Sequence, residues 1–246
     1  MSFITDALKK YANRVFFETL DASFSYRDLE NEIFRQEGLL GSPSGGISAV
    51  ETENSMVSFA RLLAFLKTGR AVLPLSDFQF NDEGYRLLLR NELGSNLNFI
   101  SSAGATSGET KTFPQVRPGF IVKTSGSSGA KPKFVLHNSD LFFLKYQKIG
   151  AHFNKTFAFS PAESIAGIET LLECFYHGCT LVGGAAKYEP QMILQLLSSK
   201  KVDYFQTTPS FLNLLFLSGK INDYDLSSLK KIAYGSEPTP PTLAER

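Results

Sequence analysis

Short apolar runs alternate with longer segments of helical period along this chain. Val15–Leu20 reads as a strand. Ser25 is placed to cap a helix over Tyr26–Leu40, with Asp28 as the capping-box acid three residues on. Gly41–Gly46 reads as a Gly/Ser/Pro loop and Ile47–Glu51 as a strand. Asn54 is expected to cap a helix carrying Phe59, Leu62, Leu63 and Leu66 on one apolar face. Gly69 is placed to end that helix in the left-handed conformation, before a strand at Val72–Leu75.

The second half repeats this grammar. Phe157–Ser160 is expected as a strand, followed by a helix through Ile168, Leu171, Leu172 and Phe175 that ends near Gly178. Leu181–Val182, Tyr204–Thr207 and Lys231–Tyr234 read as further strands, with helices near Pro190–Lys200 and after Pro209. LLAFLKTGRAVL and LLECFYHGCTLV both set a Leu pair, a Gly and an apolar pair at equal spacing, which reads as two similar helix–Gly–strand units. Alternation of this kind predicts an α/β fold of largely parallel sheets flanked by helices. Ligands on such sheets sit beyond the carboxyl ends of the strands.

Composition narrows the function class. The 246 residues carry 25 Lys+Arg against 24 Asp+Glu, a net charge of +1, which argues against a broad footprint for nucleic acid. Two Cys and three His make a zinc cluster or disulfide framework an unlikely basis for the fold, and Cys174 and Cys179 read as small buried hydrophobes. The start MSFITDALKKYANR is not a secretory signal. No run reaches the roughly 20 apolar residues of a membrane helix. A cytoplasmic protein without a membrane partner is expected. The 22 Phe with no Trp suggest a Phe-rich core. His137, His152 and His177 have no metal spacing and read as surface or capping residues. Glu163 and Glu169 read as solvated or helix-start residues, and no GxSxG elbow supports a hydrolase.

The segment FIVKTSGSSGAKPKFVLH carries the most chemistry. A strand at Phe120–Lys123 leads into a loop, and a second strand follows at Lys133–His137. Gly126 and Gly129 let backbone N–H groups turn toward one point, forming an anion-binding nest. Thr124, Ser125, Ser127 and Ser128 add hydroxyl donors. Lys131 and Lys133 add point charges suited to phosphate. The spacing is neither a Walker loop nor a dinucleotide fingerprint. The plain alternative is a solvated Gly/Ser hairpin linker.

TSGSSGAKPK resembles the signature loop of the adenylate-forming superfamily of acyl-CoA synthetases, aryl-CoA ligases and peptide-synthetase adenylation domains. DASFSYRDLENEI, NSMVSFARLLAFLKTGRAVLPL, FSPAESIAGIETLLECFYHGCTLV, YFQTTPSFLNLL and YDLSSLKKIAYGSEPTPPTL resemble its other segments in order. The resemblance implies a large N-terminal domain with possible subdomains over about 1–115 and 116–246. It implies ATP and Mg²⁺, a small carboxylic acid as substrate, and coenzyme A or a phosphopantetheine carrier protein as acyl acceptor. Thr124, Ser125, Gly126, Ser127, Ser128 and Gly129 take the phosphate role, with Lys133 as the catalytic loop lysine. Gly235, Ser236, Glu237 and Pro238 line the adenine pocket, and Ser164, Ala166 and Gly167 border the acyl site.

Several departures matter. GAKPK has one residue more than the family's GxPK, which leaves Lys131 and Lys133 as alternatives at the phosphate. Phe134 replaces a small residue. Ser164 stands where a His or aromatic ring is common. The span from Leu75 to Phe120 is short for the family and suggests a trimmed sheet. The YGxTE motif, the ribose Asp and the late catalytic Lys have no counterpart before Arg246. The chain is therefore expected to be the N-terminal part of a longer ligase, weakly active or inactive alone. The alternative is a non-catalytic nucleotide- or acyl-binding module.

Overall fold

A computed structural model describes residues 2–40, 47–93, 98–101, 104–106, 118–124, 133–184, 189–239 and 243. The first half runs α1 (Ser2–Tyr11), β1 (Val15–Glu18), β2 (Ser23–Ser25), α2 (Tyr26–Leu39), β3 (Ile47–Glu51), α3 (Met56–Lys67), β4 (Ala71–Leu75), α4 (Asp77–Asn81), α5 (Glu83–Leu93), β5 (Asn98–Ser101) and β6 (Gly104–Thr106). The second runs β7 (Gly119–Thr124), β8 (Lys133–Asn138), α6 (Ser139–Lys148), β9 (Lys155–Phe157), α7 (Ile165–His177), β10 (Thr180–Val182), α8 (Pro190–Ser199), β11 (Tyr204–Thr207), α9 (Pro209–Leu217), a 3₁₀ turn at Ile221–Asp223, and β12 (Lys231–Tyr234).

Two sheets form, in the orders β12-β11-β9-β10-β1-β2 and β6-β5-β3-β4-β7-β8. Their central strands are parallel, and β2, β6 and β8 are antiparallel edges. Each half opens with a hairpin and gives it to the other half's sheet. β1 lies parallel to β10, and β7 lies parallel to β4. The two halves therefore interlock, and each sheet draws strands from both sides of residue 115.

Local chemistry explains most boundaries. Ser25 Oγ accepts from Asp28 N at 3.1 Å and the Asp28 carboxylate accepts from Ser25 N at 2.7 Å, closing the capping box of α2. Gly69 (φ 75°) and Gly178 (φ 72°) end α3 and α7 in the left-handed region. Asn54 does not cap α3. Ser55 does, accepting from Ser58 N, because the Asn54 amide is held by distant carbonyls described below. The strand expected over Phe157–Ser160 starts earlier and ends at Phe157. Phe159 N bonds back to Phe157 O at 2.9 Å, which turns the chain out of the ladder.

Three apolar clusters give a layered architecture. The largest lies between the sheets and gathers α1, α2, α3, α6 and α7. In it the Phe16 ring meets Tyr26, Phe59 and Phe175 edge-on. Cys174 and Cys179 are free and buried there. α4 and α5 cover the outer face of the β3-β4 sheet, and α8 and α9 cover that of the β9-β10 sheet. Phe134, which stands after the loop lysine, packs on the α5 side with Tyr85. Among the described residues the span 76–118 supplies α4, α5, β5 and β6, the last two at the edge of the β3-β4 sheet. Among the described residues no helix is long and apolar enough to cross a membrane.

Candidate functional site

The described candidate residues fall near the carboxyl ends of the parallel strands β7, β9 and β12, where such sheets bind ligands. Two of the loop residues frame a hairpin mouth. Thr124 ends β7 opposite Lys133, the first residue of β8, and Thr124 Oγ1 donates to Lys133 O at 3.3 Å. Side chains alternate along the strand, so Thr124 and Lys133 share the face of Phe120 and Val122. That face looks into the core between the sheets. Lys123 points the other way, with Nζ 4.7 Å from the Tyr85 ring centre. Ser125, Gly126, Ser127, Ser128, Gly129 and Lys131 lie outside the described residues, as does the 41–46 loop.

The 235–238 segment follows β12. Gly235 N donates to Thr207 O at 3.4 Å, and Ser236 takes a left-handed φ of 70°. The Glu237 carboxylate accepts from Ser210 N at 3.2 Å and from the Ser210 hydroxyl. Thr208 caps α9 by accepting from Phe211 N at 3.2 Å. Glu237 thus sits at the N-terminus of α9, where free N–H groups favour an anion. The Ser210 hydroxyl holds its carboxyl below the usual range. Pro238 is exposed beside it.

The 160–167 segment leads into α7. Ser164 caps that helix: its Oγ accepts from Gly167 N at 3.0 Å and donates to Pro161 O at 2.7 Å. Gly167 packs directly on the Pro161 carbonyl, and a Cβ there would lie 2.0 Å from its oxygen. Ala166 O accepts from Thr170 Oγ1 at 2.8 Å. Glu163 stands at the helix start, directly before the Ser164 cap, and is half-buried there; burial raises its pKa.

The structure joins the last two segments. Phe159, just past β9, has its ring 4.9 Å from Phe211 and 5.9 Å from Phe205. Thr170 Oγ1 on α7 lies 3.4 Å from Gln206 Oε1 on β11. Asn54, three residues past β3, donates to Ala158 O at 2.7 Å and Ser160 O at 3.1 Å, so the carboxyl ends of both sheets meet. Thr124 stands two strands from β3, roughly 10 Å along the sheet, and Lys133 on β8 one strand further. Sequence reasoning did not identify Asn54, Phe159, Ser210 or Phe211 as parts of this region. Phe159, Ser210 and Phe211 lie inside the motif-bearing segments FSPAES and TTPSF, but their partners are distant in sequence.

The histidines stand apart from this region. His137 is half-buried on the edge strand β8: its ring stacks on Phe120, and burial together with Lys145 lowers its pKa. His152 pairs with Glu173 at 3.0 Å, and His177 packs against Tyr176. Glu169 forms an ion pair with Lys145. Among the described residues no group of three His, Cys, Asp or Glu is disposed to hold a metal ion.

Comparison with known proteins gives a consistent picture. The profile of the family described as AMP-binding enzyme matches residues 89–246. A plipastatin synthase polypeptide of Bacillus subtilis is 26% identical over 254 residues, covering 91% of this chain and 10% of that protein. The N-terminal subdomain of Klebsiella oxytoca NpsA, solved with 3-hydroxyanthranilyl-AMSN, superposes with a TM-score of 0.80 at 16% identity, covering 99% of this chain and 67% of that one. O-succinylbenzoate coenzyme A synthetase of Bacillus subtilis, solved with AMP, gives 0.78 at 17% identity, covering 99% and 69%. The chain thus spans about a tenth of the curated relative and about two thirds of these solved chains.

Proposed function

The chain belongs to the AMP-binding enzyme family, and from that premise we propose that it contributes the nucleotide and acyl sites of an ATP-dependent, carboxylate-activating ligase. In the proposed step a carboxylate oxygen attacks the α-phosphorus of ATP. The bond from that phosphorus to the bridging oxygen breaks, pyrophosphate leaves, and an acyl-adenylate remains. Charge grows on the phosphate oxygens, so preorganised donors and cations are what the step needs.

In this reading the 124–129 backbone and hydroxyls, with Lys131 or Lys133, hold the phosphates. Gly235–Pro238 border the adenine, and Ser164, Ala166 and Gly167 border the acid. Mg²⁺ enters with the nucleotide, whose phosphate oxygens supply ligands for such a cation. Thioester formation with coenzyme A or a carrier protein follows as the finer part of the proposal. The observation that carries it is the position of TSGSSGAKPK: it begins at the carboxyl end of the parallel strand β7, inside the stretch the family profile matches.

The test is exchange of labelled pyrophosphate into ATP across a broad panel of carboxylic acids. It is run with the full product of the reading frame. Acid-dependent exchange is the expected result. ATP binding without exchange for any acid favours the non-catalytic nucleotide-binding module. Absence of both would remove the proposal.

A further inference from the structure

We propose that Asn54 is a positioning residue for the acyl side of the site, a strut that fixes the 158–167 segment of one sheet against the end of β3 in the other. The acyl label rests on the function proposed above; the strut rests on geometry alone. Asn54 donates twice, to Ala158 O at 2.7 Å and to Ser160 O at 3.1 Å. Both acceptors are carbonyls, so only the NH₂ side of the amide can answer them. The two bonds straddle Phe159, whose ring rests on Phe211 beside the Glu237–Ser210 contact.

Both ends of the strut are anchored. On the β3 side, buried Arg61 donates Nη1 to Glu51 O at 3.3 Å and Nε to Gln36 Oε1 at 3.0 Å, and Thr52 N donates to Leu75 O at 2.7 Å. On the far side Pro161 O accepts both the Ser164 amide, at 2.9 Å, and its hydroxyl, at 2.7 Å. Gly167 has no room to move toward that carbonyl. A displacement of residues 158–161 is therefore passed to Ser164, Ala166 and Gly167 together.

Hydrogen exchange on the 246-residue chain tests the strut. Asn54→Ala should speed exchange of the Ser164, Gly167 and Ile168 amides by roughly tenfold, while α3 and β4 amides keep their rates. Asn54→Asp, the same shape without a donor and with charge facing two carbonyls, should exceed it. Acceleration spread evenly over the molecule, or an Asn54→Asp variant that exchanges like wild type, would overturn the proposal. In any sample that supports pyrophosphate exchange, Asn54→Ala should raise KM for the acid roughly tenfold and leave KM for ATP in place. Equal rises in both would sink the acyl-side assignment. Local exchange changes with no pyrophosphate exchange would keep the strut and reject the ligase reading instead.

Discussion

The two hairpins that the halves exchange begin alike and end differently. β1–β2 and β7–β8 both sit at an edge of the other half's sheet, each with its first strand parallel to a central one. The first closes in a tight turn: Thr19 N donates to Ala22 O at 2.9 Å, and Thr19 Oγ1 accepts from Ala22 N at 3.0 Å. The second spans residues 125–132 with Ser, Gly and Lys. Its ladder runs unbroken from Gly119–Asn138 to Thr124–Lys133, whereas β1–β2 slips register between Val15 and Phe17. Lengthening a loop costs little closure entropy once the strands beneath it are well paired. One hairpin scaffold thus serves twice, with a short connection and with a longer one, and the proposed phosphate chemistry belongs to the longer one.

The sheets also differ at their amino ends. Asp203 precedes β11, and its carboxylate accepts from Asn154 N at 3.1 Å and Lys155 N at 2.9 Å, with Lys230 Nζ at 3.4 Å. The residue before β5 is Leu97. Asp203→Ala should cost about 3 kcal/mol by stranding those donors, measured by urea unfolding. Burial pushes the Asp203 pKa up, but the hydrogen bonds from Lys155 and Asn154 outweigh it and hold it low. A lowered carboxylate stabilises the fold above its unfolded pKa, about 4, and that stability is lost as pH falls through the folded value. Wild type should lose Tm as pH falls below about 4, and Asp203→Asn should flatten the slope. An unchanged slope would show that Asp203 does not make this difference between the sheets.

The paired helix ends come next. Gly178→Ala adds a Cβ 2.4 Å from the Tyr11 ring at φ 72° and should cost about 2 kcal/mol. Gly219→Ala, at φ 66° with open space around it, should cost about 1 kcal/mol and isolates the backbone term. Equal losses in thermal unfolding would mean Tyr11 yields freely. Smallest is Thr19→Ala, expected to cost about 0.5–1 kcal/mol through the lost turn bonds, with nucleotide affinity unchanged. A drop in ATP affinity there would break the distinction between the hairpins.

Features set by neighbours in sequence were legible. The Ser25–Asp28 box, the glycines at 69 and 178, and the bounds of β11 and β12 follow from local spacing and match the structure. The exchange of hairpins was not legible, since pairing between strands distant in sequence, as Phe17 with Leu181 or Ala71 with Gly119, leaves no periodic mark. Asn54 and Ser55 are both good caps, and only the carbonyls past β9 decide between them. TSGSSGAKPK suggests a phosphate loop from its own residues, most of which lie outside the described residues. The meeting of Phe159 with Phe211 depends on β9 and β11 lying side by side.

The second hairpin's loop is proposed as a phosphate cradle, and the first hairpin's turn as a turn alone. Titration calorimetry with Mg·ATP on wild type, Lys131→Ala, Lys133→Ala and Thr19→Ala tests it directly. At least one lysine variant should bind ATP roughly tenfold more weakly at unchanged Tm, while Thr19→Ala binds as wild type does. Wild-type affinity in both lysine variants, or loss confined to Thr19→Ala, would contradict it.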